Sequence, residues 1–199
     1  MSVAISAMAP QETEAVVALM HRCFESADAR LIEALLRDLF THPAGIDGAG
    51  IVAKDGEQIV GFVMLSVGLL DTFERNIRIG VLGPLGVDPE HQRQGIARAL
   101  VQALVEAAEI RNLPVVFLEG DPAFYSRVGF EPAKKYGMRK PSIRIPDAAF
   151  QCRPLSTYES WMCGTEVYPE PFWTHDCVGL REPDFITWVK QEVAEGREL

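Results

Sequence analysis

The chain has no apolar run approaching the roughly 20 residues that a membrane-spanning helix needs. Its N-terminus has no basic segment ahead of an apolar core. Both absences lead to the expectation of a cytoplasmic protein with no membrane partner. Cysteine is scarce, at four among 199 residues, and Cys23, Cys152, Cys163 and Cys177 include no CxxC pair. Such a set reads as free thiols in a reducing compartment. His21-x-Cys23 and His175-x-Cys177 lack the spacing of a zinc knuckle, so no metal is expected. Positive charge is also in deficit. Nineteen basic residues against 28 acidic ones leave a formal charge of −9, which excludes a general nucleic-acid backbone binder. A local basic spot for one small anion remains compatible with it. The sequence shows no internal repeat, low-complexity tract or clear interdomain linker.

What is present suits a core-forming α/β chain. Hydrophobic residues make up 48% and charged residues 24%, enough for one domain, or one domain with an appendage. Val3 and Ile5 read as a short first strand. Pro10 opens a helix carrying Val16, Leu19, Met20, Cys23 and Phe24 at helical spacing. A second helix carries Leu31 to Phe40, with Ser26-Ala27-Asp28 as its cap and His42-Pro43 as its end. From Gly50 the period falls to two. Ile51–Ala53 and Ile59–Val67 read as a hairpin around a tight Asp55-Gly56 turn. A polar loop is expected from Asp71 to Asn76. A strand from Arg78 to Val87 follows, and Gly83-Pro84 and Gly86 mark a bulge or a close backbone approach within it.

Val87 to Ala97 is the most informative stretch. An apolar strand enters it, and an amphipathic helix expected over 94–111 leaves it. The stripe of that helix is Ile96, Leu100, Val101, Leu104, Val105 and Ala108. The Gly-containing turn between them points backbone N–H groups at one spot, where Arg93 and Arg98 add positive charge. Two readings stand at this level: a tight strand-to-helix turn, or a seat for a pyrophosphate. No Gly-Lys-Ser/Thr follows, so it is not a P-loop. No Gly-x-Gly-x-x-Gly is present, so it is not a dinucleotide fingerprint. Further on, Val115 to Leu118 reads as a central buried strand. Asp121-Pro122 opens a short helix that Gly129 ends, Phe130 begins a return strand, and Phe150–Leu155 reads as another strand.

Gln92-Arg93-Gln94-Gly95-Ile96-Ala97 resembles the acyl-CoA-binding signature Gln/Arg-x-x-Gly-x-Gly/Ala of the GNAT superfamily of N-acetyltransferases. Tyr125-Ser126-Arg127-Val128-Gly129-Phe130 resembles the same family's Tyr-x-x-x-Gly-Phe, and the order of elements agrees over residues 3 to 155. The resemblance implies an α/β (α+β) fold: a mixed, mostly antiparallel sheet flanked by helices, with a V-shaped split between its central strands. Residues 1–155 would form the acetyltransferase domain, and 156–199 an extension packed on it.

The roles follow as what the resemblance implies. Acetyl-CoA would be the cofactor, its arm bonded to the backbone at Leu85, Gly86 and Val87. The Leu85 N–H would face the thioester carbonyl. The pyrophosphate would rest on Gln92, Arg93, Gln94, Gly95, Ile96, Ala97 and Arg98. Tyr125 would be the general acid, free to face the split if Phe124 satisfies the core. The alternative is that Tyr125 is itself a core aromatic. The family's asparagine after the fifth strand is replaced here by Glu119-Gly120-Asp121-Pro122. Glu119 is the nearest general-base candidate; Asp71, Glu74 and a water chain are others.

The expected reaction is acetyl transfer to a primary amine of a small molecule or peptide by direct attack. The alternative is an inactive acyl-CoA-binding module. After Phe150 the pattern is weaker. Tyr158, Trp161, Tyr168, Phe172 and Trp173 read as a cover over the sheet with one edge near the site, or as a pocket wall, or as a contact between two copies in a homodimer. A terminal helix is expected over 183–195.

Overall fold

The computed structural model describes residues 3–179, together with Thr187 and Ala194. The expected terminal helix, with Trp188, lies outside the described residues.

One sheet organises the molecule. In chain order its strands are β1 (Ala4–Ala7), β2 (Ala49–Asp55), β3 (Gln58–Thr72), β4 (Asn76–Val87), β5 (Val115–Glu119), β6 (Glu131–Pro132), β7 (Phe150–Pro154) and β8 (Gly164–Val167). Their spatial order is β1-β2-β3-β4-β5-β7-β6, and β8 adds to β3. Every pairing is antiparallel except that of β4 with β5. The helices are α1 (Thr13–Cys23), α2 (Ser26–Leu39), α3 (Pro43–Ile46), α4 (Ile96–Ile110), α5 (Pro122–Tyr125) and α6 (Glu170–Thr174). This is the mixed, mostly antiparallel sheet with flanking helices that the resemblance implies.

Strand alternation sends side chains to two cores. Phe62, Met64, Val115 and Phe117 pack with α1 and α2 through Leu19, Met20, Leu35 and Leu36. Val63, Leu65, Val116 and Leu118 pack on the other face with α4. Because β3 and β5 are covered on both faces, they read as continuous apolar runs rather than alternating ones. All six residues of the expected α4 stripe are buried. Truncating one of them, as in Leu104→Ala, would cost about 2–5 kcal/mol.

The local expectations hold with three corrections. Ser26 to Asp28 do not cap α2: Glu25 occupies the cap position without a side-chain bond, and Ser26-Ala27-Asp28 form the first helical turn. The polar loop expected from Asp71 shrinks to residues 73–75, since β3 continues to Thr72 and pairs there with β8. The return strand after Gly129 is only the two-residue β6. The α4 helix starts at Ile96, with Gly95 left-handed at φ +85° as its cap residue.

Candidate active site

The site forms where the sheet opens. β4 and β5 pair only at Gly80–Val116 and Val81–Phe117. Past those residues the strands part. On β4 the register against β3 steps from Leu85–Val63 to Leu82–Leu65, so one extra residue bulges out at Gly83-Pro84. The Asp88 N–H donates to Val60 O of β3 at 2.9 Å. Alternation along the strand therefore turns the N–H and C=O groups of Leu85 and Val87 away from β3, into the split. Consistent with this, the Val87 carbonyl accepts from Gln92 Nε2 at 3.2 Å. Gly86 points the other way and sits against α1, where a β-carbon would come within 2.7 Å of Met20 Cε.

On the α4 side, the turn leaves a groove of about 480 Å³. Val87, Gln92, Arg93, Gly95, Ile96, Ala97 and Arg98 line it. Gln94 does not; its side chain donates back to Glu90 O at 3.4 Å. Arg93 is left-handed at φ +60°, two residues before left-handed Gly95. A left-handed residue beside a right-handed one, as Gly95 is beside helical Ile96, brings neighbouring N–H groups onto one concave face. The first bond into the helix is Ala99 N–H to Gly95 O, so the N–H groups of Gly95 to Arg98 have no partner within the helix. A β-carbon built on Gly95 would meet nothing within 4 Å, which leaves open space directly over those donors. Sequence reasoning missed four further lining residues, His91, Phe124, Arg127 and Val128, which chain folding brings to the groove.

Asp88 fixes this turn in place. It is 5% exposed and accepts from Arg22 Nε at 2.9 Å and from Glu90 N–H at 3.1 Å. Burial works against its charge, but the Arg22 guanidinium and the Glu90 N–H outweigh it and hold the carboxyl below the usual range.

On the α2 side, the split opens into a cavity of about 600 Å³. Leu82, Gly83 and Pro84 form its β4 edge, and Glu119 its β5 edge. Leu118 belongs to the α4-side core, so the next residue, Glu119, turns to this face. The Gly179 N–H donates to Glu119 Oε2 at 3.0 Å, and the Tyr168 hydroxyl donates to the same carboxylate. Burial pushes the Glu119 carboxyl up to about 7, against the hydrogen bonds and the Arg144 charge that pull it down. The other two base candidates are not here: Asp71 and Glu74 lie at the exposed far end of the β3–β4 hairpin. Asp121 caps α5 as expected, accepting from Ala123 N–H at 2.8 Å.

Tyr125 lies on the α4 side of the split. Its ring packs edge-on against Phe124 and Phe130, at centroid distances of 4.9 and 5.8 Å, and it is 9% exposed. Burial alone pushes its phenol up to about 12. The expectation that Phe124 fills the core is corrected: Phe124 is partly exposed at the groove, and Tyr125 is the more buried of the two. Among the C-terminal aromatics, Tyr168 and Phe172 wall the cavity, Tyr158 packs on Tyr136, and Trp161 lies under Arg75 at 4.7 Å.

The thiols and histidines carry no second site. All four cysteines are free, and His21 and His175 pair with Glu33 and Asp38 at 2.7 and 3.0 Å. Among the described residues no cluster could hold a metal ion, and no helix is long and apolar enough to cross a membrane.

Comparison with known proteins agrees with this geometry. Residues 47–132, from the end of α3 to the end of β6, match the acetyltransferase (GNAT) domain model. Over 151 residues the chain is 34% identical to the uncharacterized N-acetyltransferase YhbS of Escherichia coli K12, covering 74% of this chain and 84% of that protein. The crystal structure of Escherichia coli YhbS in complex with CoA superposes with a TM-score of 0.71 at 31% identity, over 85% of this chain and 91% of that one. A GNAT acetyltransferase from Brucella melitensis, solved with acetyl-CoA, shares the fold at a TM-score of 0.68 and 20% identity, over 86% and 98% of the two chains. With its split sheet, its Gly95 turn and these relatives, the chain belongs to the GNAT family of N-acetyltransferases.

Proposed function

We propose that this protein transfers the acetyl group of acetyl-CoA to a primary amine by direct attack, with Glu119 as general base and Tyr125 as general acid. One observation carries the reading. Two chambers flank the strands that part at β4 and β5, a cationic groove rich in free N–H groups on the α4 side and a cavity bearing a carboxylate on the α2 side. A cofactor entering from the α4 face and an amine entering from the α2 face would meet between the strands.

Acetyl-CoA would supply an activated acetyl thioester. The N–H groups of Gly95 to Arg98, with the charges of Arg93, Arg98 and Arg127, suit its pyrophosphate. Val87 and Leu85 suit its amide-bearing arm. The Leu85 N–H would donate to the carbonyl oxygen as negative charge grows there, a bond that strengthens in the transition state.

Glu119 would take a proton from the ammonium form of the acceptor. A carboxylate titrating near 7 is half ionised at neutral pH and basic enough to compete for that proton. The nitrogen would then attack, the C–N bond forming as the C–S bond breaks. Burial keeps the Tyr125 phenol protonated at neutral pH, as an acid must be, and its proton would pass to the leaving sulfur. The first nitrogen proton would leave through Glu119 to solvent and the second would restore the Tyr125 phenol, so that the balanced outcome is one N-acetyl amine, one thiol and one proton released.

A second reading rests on the packing of Tyr125 between Phe124 and Phe130: a module that binds acetyl-CoA without turnover. Tyr125→Phe separates them. Calorimetry with acetyl-CoA should give the same affinity for both forms, while amine-dependent thiol release should fall about 100-fold in the variant. An unchanged rate would remove Tyr125 as the acid.

A further inference from the structure

The walls of the α2-side cavity carry information about the acceptor. They are predominantly apolar, with Ile32 and Leu35 from α2, Leu82 and Pro84 from β4, and Ala149 and Phe172 facing them. Its described lining contains no Lys, Arg or His, and its only carboxylates are Glu119 and Asp121. Asp121 sits at the exposed mouth, engaged with Ala123 N–H. Arg144, the cation whose charge acts on Glu119 among the described residues, does not line the cavity and is held by the Val178 carbonyl at 2.8 Å.

Behind Glu119 lies a second carboxyl group. Glu166 of β8 is fully buried, and neither of its oxygens has a hydrogen-bond partner among the described residues. Burial, reinforced by the charge of Glu119, holds it in the neutral acid form. Among the described residues, the inner end of the cavity therefore presents one ionisable carboxyl group, Glu119, in an apolar surround.

We infer that the acceptor is a monoamine on an apolar body, an alkylamine or arylalkylamine with no carboxylate of its own. This rests on the acetyl-transfer reading. One ammonium matches the one inner carboxylate. A polyamine would set its second ammonium against Ala149 and Phe172, because the other carboxylate of the lining, Asp121, stands at the mouth and is engaged by Ala123 N–H. A free amino acid would set its carboxylate beside Glu119 with no cation among the described lining residues to receive it. A peptide would leave backbone amides unpaired on the same walls. A longer acyl chain would fit the apolar walls but would cover the Glu119 carboxylate without pairing it.

The test uses the full chain saturated with CoA, which cannot react, and calorimetric titration of a linear amine series from propylamine to hexylamine. Affinity should tighten about fourfold per methylene until the cavity is full, the equivalent of about 0.8 kcal/mol per buried CH₂. 2-Phenylethylamine should bind at least about tenfold more tightly than 2-phenylethanol or spermidine. Glu119→Gln should weaken 2-phenylethylamine by a similar factor and leave 2-phenylethanol unchanged. Thiol release from acetyl-CoA is followed on the same ligands. Amine binding in this order with no thiol release would overturn the transfer reading and leave the acceptor class standing. Turnover faster with spermidine, glycine or a lysyl peptide than with 2-phenylethylamine would overturn the acceptor class and leave transfer standing. A flat series, no amine binding, or faster turnover of hexanoyl-CoA than acetyl-CoA would also overturn the acceptor class.

Discussion

The ring of Tyr125 lies against the α-carbon of Gly120, so closely that a β-carbon there would come within 2.3 Å of Cε2. Gly120 immediately follows Glu119 at the end of β5. The phenol and the carboxylate are thus tied to the same strand end, one on each face of the sheet. Glycine is needed here for close approach rather than for a left-handed backbone, since Gly120 has no positive φ.

Gly120→Ala should push the Tyr125 ring off this seat while leaving the α4 turn untouched. The expected result is a fall in kcat of about 100-fold, the value of a misplaced general acid, with acetyl-CoA affinity unchanged. Steady-state kinetics beside calorimetry would check it. Equal losses in both would mean that the strand end itself has collapsed.

The raised carboxyl of Glu119 predicts the pH profile. As the basic form accumulates, kcat/KM should rise about tenfold per pH unit below about 7 and level off above it. Glu119→Gln should abolish that limb. Stability moves the opposite way. A carboxyl raised in the folded state binds its proton more tightly there than in the unfolded chain. Stability is therefore highest below the unfolded value of 4.5 and declines as pH climbs toward about 7, by up to about 3 kcal/mol from Glu119. Glu166 is shifted in the same direction and adds to the decline. Denaturant melts of the protein and of Glu166→Gln between pH 4.5 and 8 would reveal both contributions.

Gly95→Ala puts a β-carbon on a residue at φ +85° and into the open space above the free N–H groups. The left-handed backbone costs about 1–2 kcal/mol for a non-glycine residue. Acetyl-CoA should bind about tenfold or more weakly. Turnover of S-acetylpantetheine, which lacks the pyrophosphate, should be unaffected. A loss on both substrates would move the anion seat away from this turn.

Asp88→Asn removes the buried charge that pairs Arg22 and caps the turn after β4. The Arg22 side chain is 46% exposed, so the cost is below that of a fully buried pair, at about 1–3 kcal/mol. Here the folded carboxyl is depressed, so its contribution is present above the unfolded value of 3.8 and is lost as pH falls through the folded one. Thermal melts should show the variant lower by several degrees at pH 7 and equal to the parent in strong acid.

Local chemistry made much of this legible before any coordinates. The α4 stripe, the Gly95 turn, the Asp121 cap and the buried β5 each follow from spacing or from a single residue's conformational needs. Glu119 was reachable as the residue that leaves the central strand beside the split. The cavity was not. Its walls come from α2, β4, β5, the 146–149 segment, Tyr168 and Phe172, which only the topology brings together. β8 is four residues long and finds its place through pairing with Leu69–Thr72. Nothing near Glu166 in sequence marks it as a buried carboxyl. Phe124 and Tyr125 have opposite burial from that expected because both are large aromatics, and only the chain's path past Phe130 decides which turns inward.

The central claim is acetyl transfer across the split, and the direct measurement is product stoichiometry. The protein is incubated with acetyl-CoA and 2-phenylethylamine, and free thiol and N-acetylated amine are quantified together. The account predicts the two in equal amounts, at a rate that collapses in Glu119→Gln and Tyr125→Phe while acetyl-CoA still binds. Acetyl-CoA that binds with no thiol released on this or any other amine would contradict it.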